Sequence, residues 1–168
     1  MKITRDFRFH MAHRNPEFGG THKCVGLHGH TCYFTATFWN KVSEGKSVGI
    51  PFEHIDKVIK PITDALCHSY FGFHGDPITH LITEGVIPSK LTMIRKNFVF
   101  ETYSMSSFAE SGSPVEFMEN VYLPPSAENM ALALFNSIRS MGLEDLLELS
   151  FKETPKSCLI ITPNSFGP

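Results

Sequence analysis

The sequence lacks an excess of charge of either sign, because 15 Lys and Arg residues stand against 17 Asp and Glu residues in a chain of 168. This near balance excludes the basic face of a nucleic-acid-binding protein and the polybasic segment of a membrane anchor. No apolar run approaches the roughly 20 residues of a membrane-spanning helix, and the amino terminus is charged where a secretory signal would be apolar. We therefore expect a cytoplasmic protein that binds neither nucleic acid nor membrane.

Cysteine is scarce and scattered, with four residues spread over more than 130 positions. This spacing does not form a disulfide framework, so each thiol is interpreted separately. The length is that of one compact domain, and we predict a single domain over residues 1–168. Histidine is abundant by contrast, with nine residues.

The hydrophobic pattern predicts a chain of both strands and helices. Residues 3–13 and 28–39 alternate apolar and polar side chains, as half-buried strands do. Residues 52–68 have apolar side chains three and four apart, which predicts an amphipathic helix that Pro61 kinks or divides into two. A second helix is predicted to begin after Ser126, which is a good N-cap. Two more strands are predicted at the stretches LLELSF and SCLIIT.

A long connection, residues 72–124, lies between the two predicted helices. Compact domains seldom tolerate more than about 12 to 15 residues without secondary structure. The stretch LTMIRKNFVFETY alternates well enough to predict one extra strand, and we expect the remainder to be an elaborate loop or lid.

Three histidines lie where two predicted strands can bring them together. His28 and His30 are two apart on one strand and share a face, and His13 ends the neighbouring strand. Three imidazoles make an open tetrahedral zinc site with the fourth position free for water or substrate, and no redox motif favours another metal. The alternative is a pair of histidines on a solvated strand edge, and His22 competes for the third ligand position.

Two further side chains are candidates for chemistry beside such a metal. Cys24 lies four residues before His28 and next to Lys23, so its thiol could act as a nucleophile or general base. It could equally be a fourth zinc ligand, which would make the site structural, or an inert loop residue. Glu153 ends a strand, and its carboxylate could bind a ligand with adjacent N–H donors or could be solvated. Cys32, on the apolar face of its strand, and Cys158, in an apolar strand, are predicted to be packing residues.

Four stretches together carry a resemblance to a known family: FHMAHRNPEFGGTHKCVGLHGHTCYF, PFEHIDKVIKPITDALCH, PSAEN and KET. They resemble the 6-pyruvoyl-tetrahydropterin synthase family over residues 1–71 and 121–162. The short spacing between Cys24 and HGH is similar to that of the bacterial 6-carboxy-tetrahydropterin synthases of queuosine (7-deazaguanine) biosynthesis.

The resemblance implies the α+β tunnelling fold, a four-stranded antiparallel sheet with two helices on one face in the order β-β-α-α-β-β. The periodicity of the sequence predicts the same order of elements. The resemblance also implies a homo-oligomer, commonly a hexamer, whose sheets join edge to edge and whose active sites lie at subunit interfaces.

The resemblance also implies an activity. His13, His28 and His30 would bind zinc, Cys24 would be the catalytic thiol and Glu153 would anchor the pterin ring. The implied reaction converts 7,8-dihydroneopterin triphosphate to 6-carboxy-5,6,7,8-tetrahydropterin, acetaldehyde and triphosphate. In it, zinc binds the side-chain oxygens and makes the adjacent C–H acidic, while the thiolate moves protons.

The chain departs from the family at the end of the first predicted helix. Other members of the family have an Asp-His pair there, which relays protons. The matching residues here are Cys67 and His68, so the base is kept and the carboxylate that orients it is lost, which could cost orders of magnitude in rate. Asp64 lies four residues before His68 and would replace that carboxylate if the helix is regular there, or would be an ordinary surface residue.

Three alternative functions remain open at this point. They are a 6-pyruvoyl-type or otherwise altered pterin lyase, a zinc- and pterin-binding homologue without turnover, and a structural zinc module in which Cys24 binds the metal permanently.

Overall fold

A computed structural model describes residues 1–42, 44–45, 49–104 and 122–165. This part of the chain contains eight strands and three helices. In the described residues no helix is long and apolar enough to cross a bilayer. The elements in chain order are β1 (Lys2–His13), β2 (His28–Trp39), α1 (Phe52–Leu66), β3 (Ser69–Gly72), α2 (Pro77–Thr83), β4 (Lys90–Arg95), β5 (Phe100–Tyr103), β6 (Tyr122–Leu123), α3 (Ala127–Ser140), β7 (Leu146–Lys152) and β8 (Leu159–Ile161).

The strands form one mixed sheet in the order β5-β4-β3-β1-β2-β7-β8, with β6 paired to β4. The four predicted strands, β1, β2, β7 and β8, lie side by side and are antiparallel. The prediction of four strands is nevertheless too few, because β3 runs parallel to β1 and β4 runs parallel to β3. The sheet therefore continues beyond β1 into the long connection.

The connection between α1 and α3 is more structured than the predicted loop or lid. Residues 91–103, predicted as one strand, form the antiparallel pair β4 and β5, which reverses direction where Phe98 adopts a left-handed φ of 58°. The connection also contains α2, and residues 105–121 lie outside the described residues. The four residues of β3 are all buried and α2 is only seven residues long, so neither shows a period.

Helix α1 differs from its prediction in two ways. It is one continuous helix through Pro61, which lies on the exposed side where water can reach the carbonyl that the proline leaves unpaired. It also ends at Leu66 rather than at residue 68. Cys67 is already extended and His68 has a left-handed φ of 57°.

Helices α1 and α3 cover one face of the sheet, as predicted, and α2 covers the other. The buried residues of α1 and α3 share one core with Phe9, Phe34 and Phe71. Tyr70 is next to Phe71 on β3 and so points to the opposite face, where it packs in a second cluster with Ile82 of α2. The predicted N-cap of α3 is confirmed, because the Ser126 hydroxyl accepts a hydrogen bond from the Asn129 amide.

A buried carboxylate fastens α2 to the sheet. Asp76 is fully buried, and it accepts hydrogen bonds from the Tyr70 hydroxyl (2.6 Å), the Thr79 hydroxyl (3.1 Å) and the Ile78 amide (3.3 Å). The Arg14 Nε atom lies 3.7 Å from Asp76 Oδ1. Because Arg14 directly follows β1, this cluster ties α2 to the end of the strand that carries His13.

We expect Asp76→Ala to lower the free energy of unfolding by about 3 kcal/mol, because it leaves two hydroxyls and an amide without their acceptor and removes the negative charge beside the buried Nε atom of Arg14. Urea unfolding measures the change. Glu144→Ala, at an exposed site, is the control and should change it by less than about 0.5 kcal/mol. If Asp76→Ala also lowered the free energy of unfolding by less than about 0.5 kcal/mol, the cluster would not hold α2 to the sheet.

Candidate metal centre

The register of β1 and β2 brings three histidines to one place. His13 pairs directly with His28, and Met11 pairs with His30, so all three imidazoles project from the same face. Their ring centroids are 4.6 Å (His13–His28), 4.9 Å (His28–His30) and 5.2 Å (His13–His30) apart. One ligand nitrogen from each ring lies within 4.8 Å of the other two. The three predicted ligands therefore converge.

Two carbonyl oxygens fix which nitrogen of each ring is available. His13 Nδ1 donates a hydrogen bond to the Pro125 carbonyl (2.8 Å), and His28 Nδ1 donates to the Gly26 carbonyl (2.7 Å). A carbonyl can only accept, so each Nδ1 carries the proton and each neutral ring has its lone pair on Nε2. This is the arrangement that orients histidines as metal ligands.

Burial keeps the imidazoles of His13 and His30 uncharged. It lowers the pKa of His13 to about 4, and the charges of His28 and His30 act in the same direction against the hydrogen bond to Pro125. Burial, followed by the neighbouring His28, also lowers the pKa of His30. Both rings are therefore neutral at pH 7 and can bind a cation without first losing a proton.

The metal-free protein should lose stability as the pH falls from 6.5 toward 4, because an unfolded histidine takes up a proton in this range while His13 does not. The contribution of His13 to this loss is about 3 kcal/mol. It is measured by urea unfolding of chelator-treated protein at pH 7 and pH 4. His13→Gln should reduce the difference in the free energy of unfolding between pH 7 and pH 4, and His54→Gln should leave that difference unchanged. An equal difference in both variants would contradict the assignment of this pH dependence to His13.

A carboxylate adjoins the three imidazoles. Glu153 follows β7, and its Oε1 atom lies 3.4 Å from His13 Nε2 and 3.9 Å from His30 Nε2. Burial raises the pKa of Glu153. Glu153 Oε1, His13 Nε2 and His30 Nε2 are buried, and none of them has a hydrogen-bond partner among the described residues. A bound cation would satisfy buried polar atoms that face one another in this way, so this donor set fits a divalent metal such as zinc.

The loop between β1 and β2 carries the predicted thiol back to the end of β1. The Asn15 amide donates a hydrogen bond to the Cys24 carbonyl (2.7 Å). Since Asn15 lies two residues after His13, this bond holds the short turn Lys23–Val25 near the end of β1. Cys24 is half-buried and does not belong to the group of converging ligand atoms in the described chain. His22, the competing ligand, instead accepts a hydrogen bond from the Cys24 amide and stacks on Phe18.

The second cysteine near the site is a packing residue. Cys32 is fully buried, and burial together with the charge of Glu153 raises the pKa of its thiol to about 12. It therefore remains a thiol at neutral pH.

His68 does not adjoin the three converging histidines (His13, His28 and His30, the histidine triad) of its own chain. Its ring contacts the ring of His10 at 5.8 Å between centroids. His10 is three residues from His13 on β1, so the two side chains point to opposite faces of the sheet. Asp64 is exposed, and because α1 ends at Leu66 the helical spacing needed to orient His68 is not formed. The contact of His68 Nδ1 is instead Cys67 Sγ, at 3.4 Å.

Two residues that position the site, Pro125 and Asp76, are not among the predicted site residues. The Pro125 carbonyl orients His13, and a backbone acceptor has no signature in the sequence. Asp76 holds the following residue, Arg14, from within the long connection. Its Asp-Pro pair at the start of a helix was a local signal for a cap, but the pairing with Arg14 depends on the fold.

Known proteins resemble the chain over nearly its whole length. The sequence model of the family described as 6-pyruvoyl tetrahydropterin synthase matches residues 2–164. An uncharacterized protein from Wolinella succinogenes has a similar structure, with 20% identity, a TM-score of 0.65 and 98% of each chain covered. The 6-pyruvoyl tetrahydropterin synthase of Caenorhabditis elegans is 16% identical, with a TM-score of 0.59, over 98% of this chain and 96% of that one.

The enzyme of the same name from Plasmodium vivax is also 16% identical, with a TM-score of 0.56 and 96% of each chain covered. At these identities the solved structures establish the fold alone, while the sequence model establishes descent. The chain therefore belongs to the 6-pyruvoyl tetrahydropterin synthase family.

Proposed function

We propose that the protein is a zinc-dependent lyase that converts 7,8-dihydroneopterin triphosphate to 6-carboxy-5,6,7,8-tetrahydropterin, acetaldehyde and triphosphate, as a step of 7-deazaguanine biosynthesis. The observation that carries the proposal is the convergence of three imidazoles beside a carboxylate, where the facing atoms of His13, His30 and Glu153 are buried without hydrogen-bond partners. Membership of a family named for pterin chemistry supports a pterin as the substrate. The short spacing between Cys24 and the histidines favours the 6-carboxy product.

Each side chain has a separate task in this proposal. His13, His28 and His30 would hold the metal, which when bound supplies a Lewis acid that makes the C–H bonds next to coordinated oxygens more acidic. Cys24 moves protons at the substrate side chain. The Glu153 carboxylate would accept two parallel hydrogen bonds from adjacent N–H groups of the pterin ring, and its Oε1 atom is buried away from competing water.

His68 enters this scheme only across a subunit interface. Its ring lies on the face of the sheet opposite to the triad of its own chain, so it would serve the site of a neighbouring copy. We therefore propose a homo-oligomer with composite sites, for which the expected assembly is a hexamer. Cys67 Sγ, rather than Asp64, contacts the ring nitrogen that an orienting group must hold.

Mixing two inactive variants tests this arrangement. Cys24→Ala and His68→Ala should each be inactive alone, and co-refolded mixtures should regain activity because about a quarter of the sites combine an intact Cys24 with an intact His68. The turnover of the mixture measures the recovery. A mixture that stays as inactive as its components, although gel filtration shows mixed assemblies, would contradict a composite site.

Product analysis tests the function itself. The zinc-loaded protein is incubated with 7,8-dihydroneopterin triphosphate and the products are identified by mass spectrometry. The proposal expects 6-carboxy-tetrahydropterin with acetaldehyde, and their loss after chelation of the metal. Binding of the substrate without any turnover would contradict it.

A second candidate, a 6-pyruvoyl-type or altered pterin lyase, is favoured by one contact. A thiol at 3.4 Å from His68 Nδ1 supports a charged imidazole less well than a carboxylate does, which changes how protons return to the intermediate. The same incubation would then yield 6-pyruvoyl-tetrahydropterin.

A further inference from the structure

The face of the sheet opposite the histidine triad carries a second pair of histidines, His10 and His68. Their ring centroids are 5.8 Å apart, and the His68 amide donates a hydrogen bond to the His10 carbonyl (2.7 Å). His68 also has a left-handed φ of 57°, which residues other than glycine seldom adopt unless the surrounding structure holds them there. The backbone therefore fixes His68 next to His10.

The hydrogen-bond partners of these two rings differ from those at the metal site. Two histidines of the triad donate to backbone carbonyls, which fixes the position of their proton. The Nδ1 atom of His10 instead faces the Thr31 hydroxyl (3.0 Å), and that of His68 faces Cys67 Sγ (3.4 Å). A hydroxyl or a thiol can donate or accept, so each contact persists whether or not Nδ1 carries a proton. Both rings can therefore gain and lose a proton without losing a partner.

A cavity of about 450 Å³ opens beside the two rings. Its other walls include apolar side chains such as Ile78 and Ile82 of α2, and no aspartate or glutamate is among the described residues that line it. A charged His68 ring therefore has no carboxylate in this cavity to stabilise it. A neutral imidazole nitrogen is a stronger hydrogen-bond acceptor than a thiol sulfur, so His10 is better suited to this task than Cys67.

We propose that His10 is a positioning residue for His68, with the task that belongs to the aspartate in other members of the family. The inference rests on the proposed function, in which His68 transfers a proton in the site of a neighbouring copy. When His68 takes up that proton, both of its ring nitrogens carry hydrogen, and neutral His10 accepts a hydrogen bond from one of them directly or through one water. His68 returns the proton later in the reaction, while His10 stays neutral and holds the charged ring in place.

Replacing His10 by alanine tests the proposal in the full-length, zinc-loaded protein. Because His10 is exposed, its truncation leaves the core intact. We expect His10→Ala to lower kcat for 7,8-dihydroneopterin triphosphate by about 10- to 100-fold, the usual effect of losing a group that orients a functional imidazole. The KM, the zinc content and the assembly seen by gel filtration should stay at those of the parent. His54→Ala, which removes an exposed histidine of α1, is the control and should match the parent in all four measurements.

The aspartate of the family, introduced as Cys67→Asp, separates this task from a structural one. We expect Cys67→Asp to have a kcat at least equal to that of the parent, because the carboxylate can then support the charged His68 ring. With this support in place His10 is dispensable, so His10→Ala/Cys67→Asp should keep the kcat of Cys67→Asp within about threefold. A structural role of His10 would instead lower kcat by the same factor with either residue at position 67.

Three results would overturn the proposal. They are a His10→Ala variant whose kcat equals that of the parent or whose assembly is altered, an equal fall of kcat in the parent and Cys67→Asp backgrounds, and a Cys67→Asp variant that is less active than the parent. In each case turnover of dihydroneopterin triphosphate by the parent would leave the proposed function intact. A parent protein that does not turn over this substrate would overturn the proposed function together with this inference.

Discussion

Replacing Cys24 by alanine should lower kcat for 7,8-dihydroneopterin triphosphate by about 10²- to 10⁴-fold, the usual contribution of a positioned acid or base. We expect this because the hydrogen bond between the Asn15 amide and the Cys24 carbonyl holds Cys24 close to the end of β1, which carries His13. The zinc content of the variant should stay at that of the parent, because the thiol is not among the converging ligand atoms of the described chain. Steady-state kinetics and metal analysis measure the two effects.

Cys158→Ala is the matched control for this prediction. Cys158 lies just before β8 and its thiol is exposed, so the prediction that it is a packing residue is wrong. Its loss should leave kcat unchanged. An active Cys24→Ala variant would remove Cys24 from the proton transfers. A variant that lost its zinc together with its activity would assign the thiol to the metal instead.

His28→Ala should abolish stoichiometric metal binding, with an affinity for zinc more than about 100-fold weaker than that of the parent. Loss of a group that only hydrogen-bonds to a metal ligand typically costs 10- to 100-fold in metal affinity, and this change removes a direct ligand. His28 is preferable to His13 for this test because it is only half-buried, so its truncation disturbs the core less. Metal analysis after dialysis against a competing chelator measures the change, and turnover should disappear with the metal.

His54→Ala, which removes an exposed histidine of α1, is the control for the loss of a histidine as such. The prediction is contradicted if His28→Ala retains one zinc per chain under conditions in which the parent does. It is also contradicted if His54→Ala loses the metal equally.

The two long strands and their site could be predicted because their signals are local. Strands β1 and β2 alternate over twelve residues each, so their faces and the places of His13, His28 and His30 follow from period two. Helices α1 and α3 show helical spacing over 15 and 14 residues. Long periodic segments determine which face is buried, and here the buried face carries the candidate ligands.

The long connection could not be predicted in this way because its elements depend on their partners. The four residues of β3 are buried on both sides between β1 and β4, so they show no alternation. Pairing of a short parallel strand is decided by the strands beside it rather than by its own sequence. The position of His68 depends on the end of α1, where Cys67 and His68 leave the helix in a conformation that spacing does not predict.

Zinc K-edge absorption spectroscopy of the zinc-loaded protein without substrate tests whether three imidazoles hold the metal in a site that stays open to substrate. We predict nitrogen and oxygen ligands alone, at about 2.0–2.2 Å from the zinc, with the scattering pattern of imidazole rings. A sulfur ligand at about 2.3 Å would mean that Cys24 closes the site. That result would contradict the account and identify a structural zinc module instead.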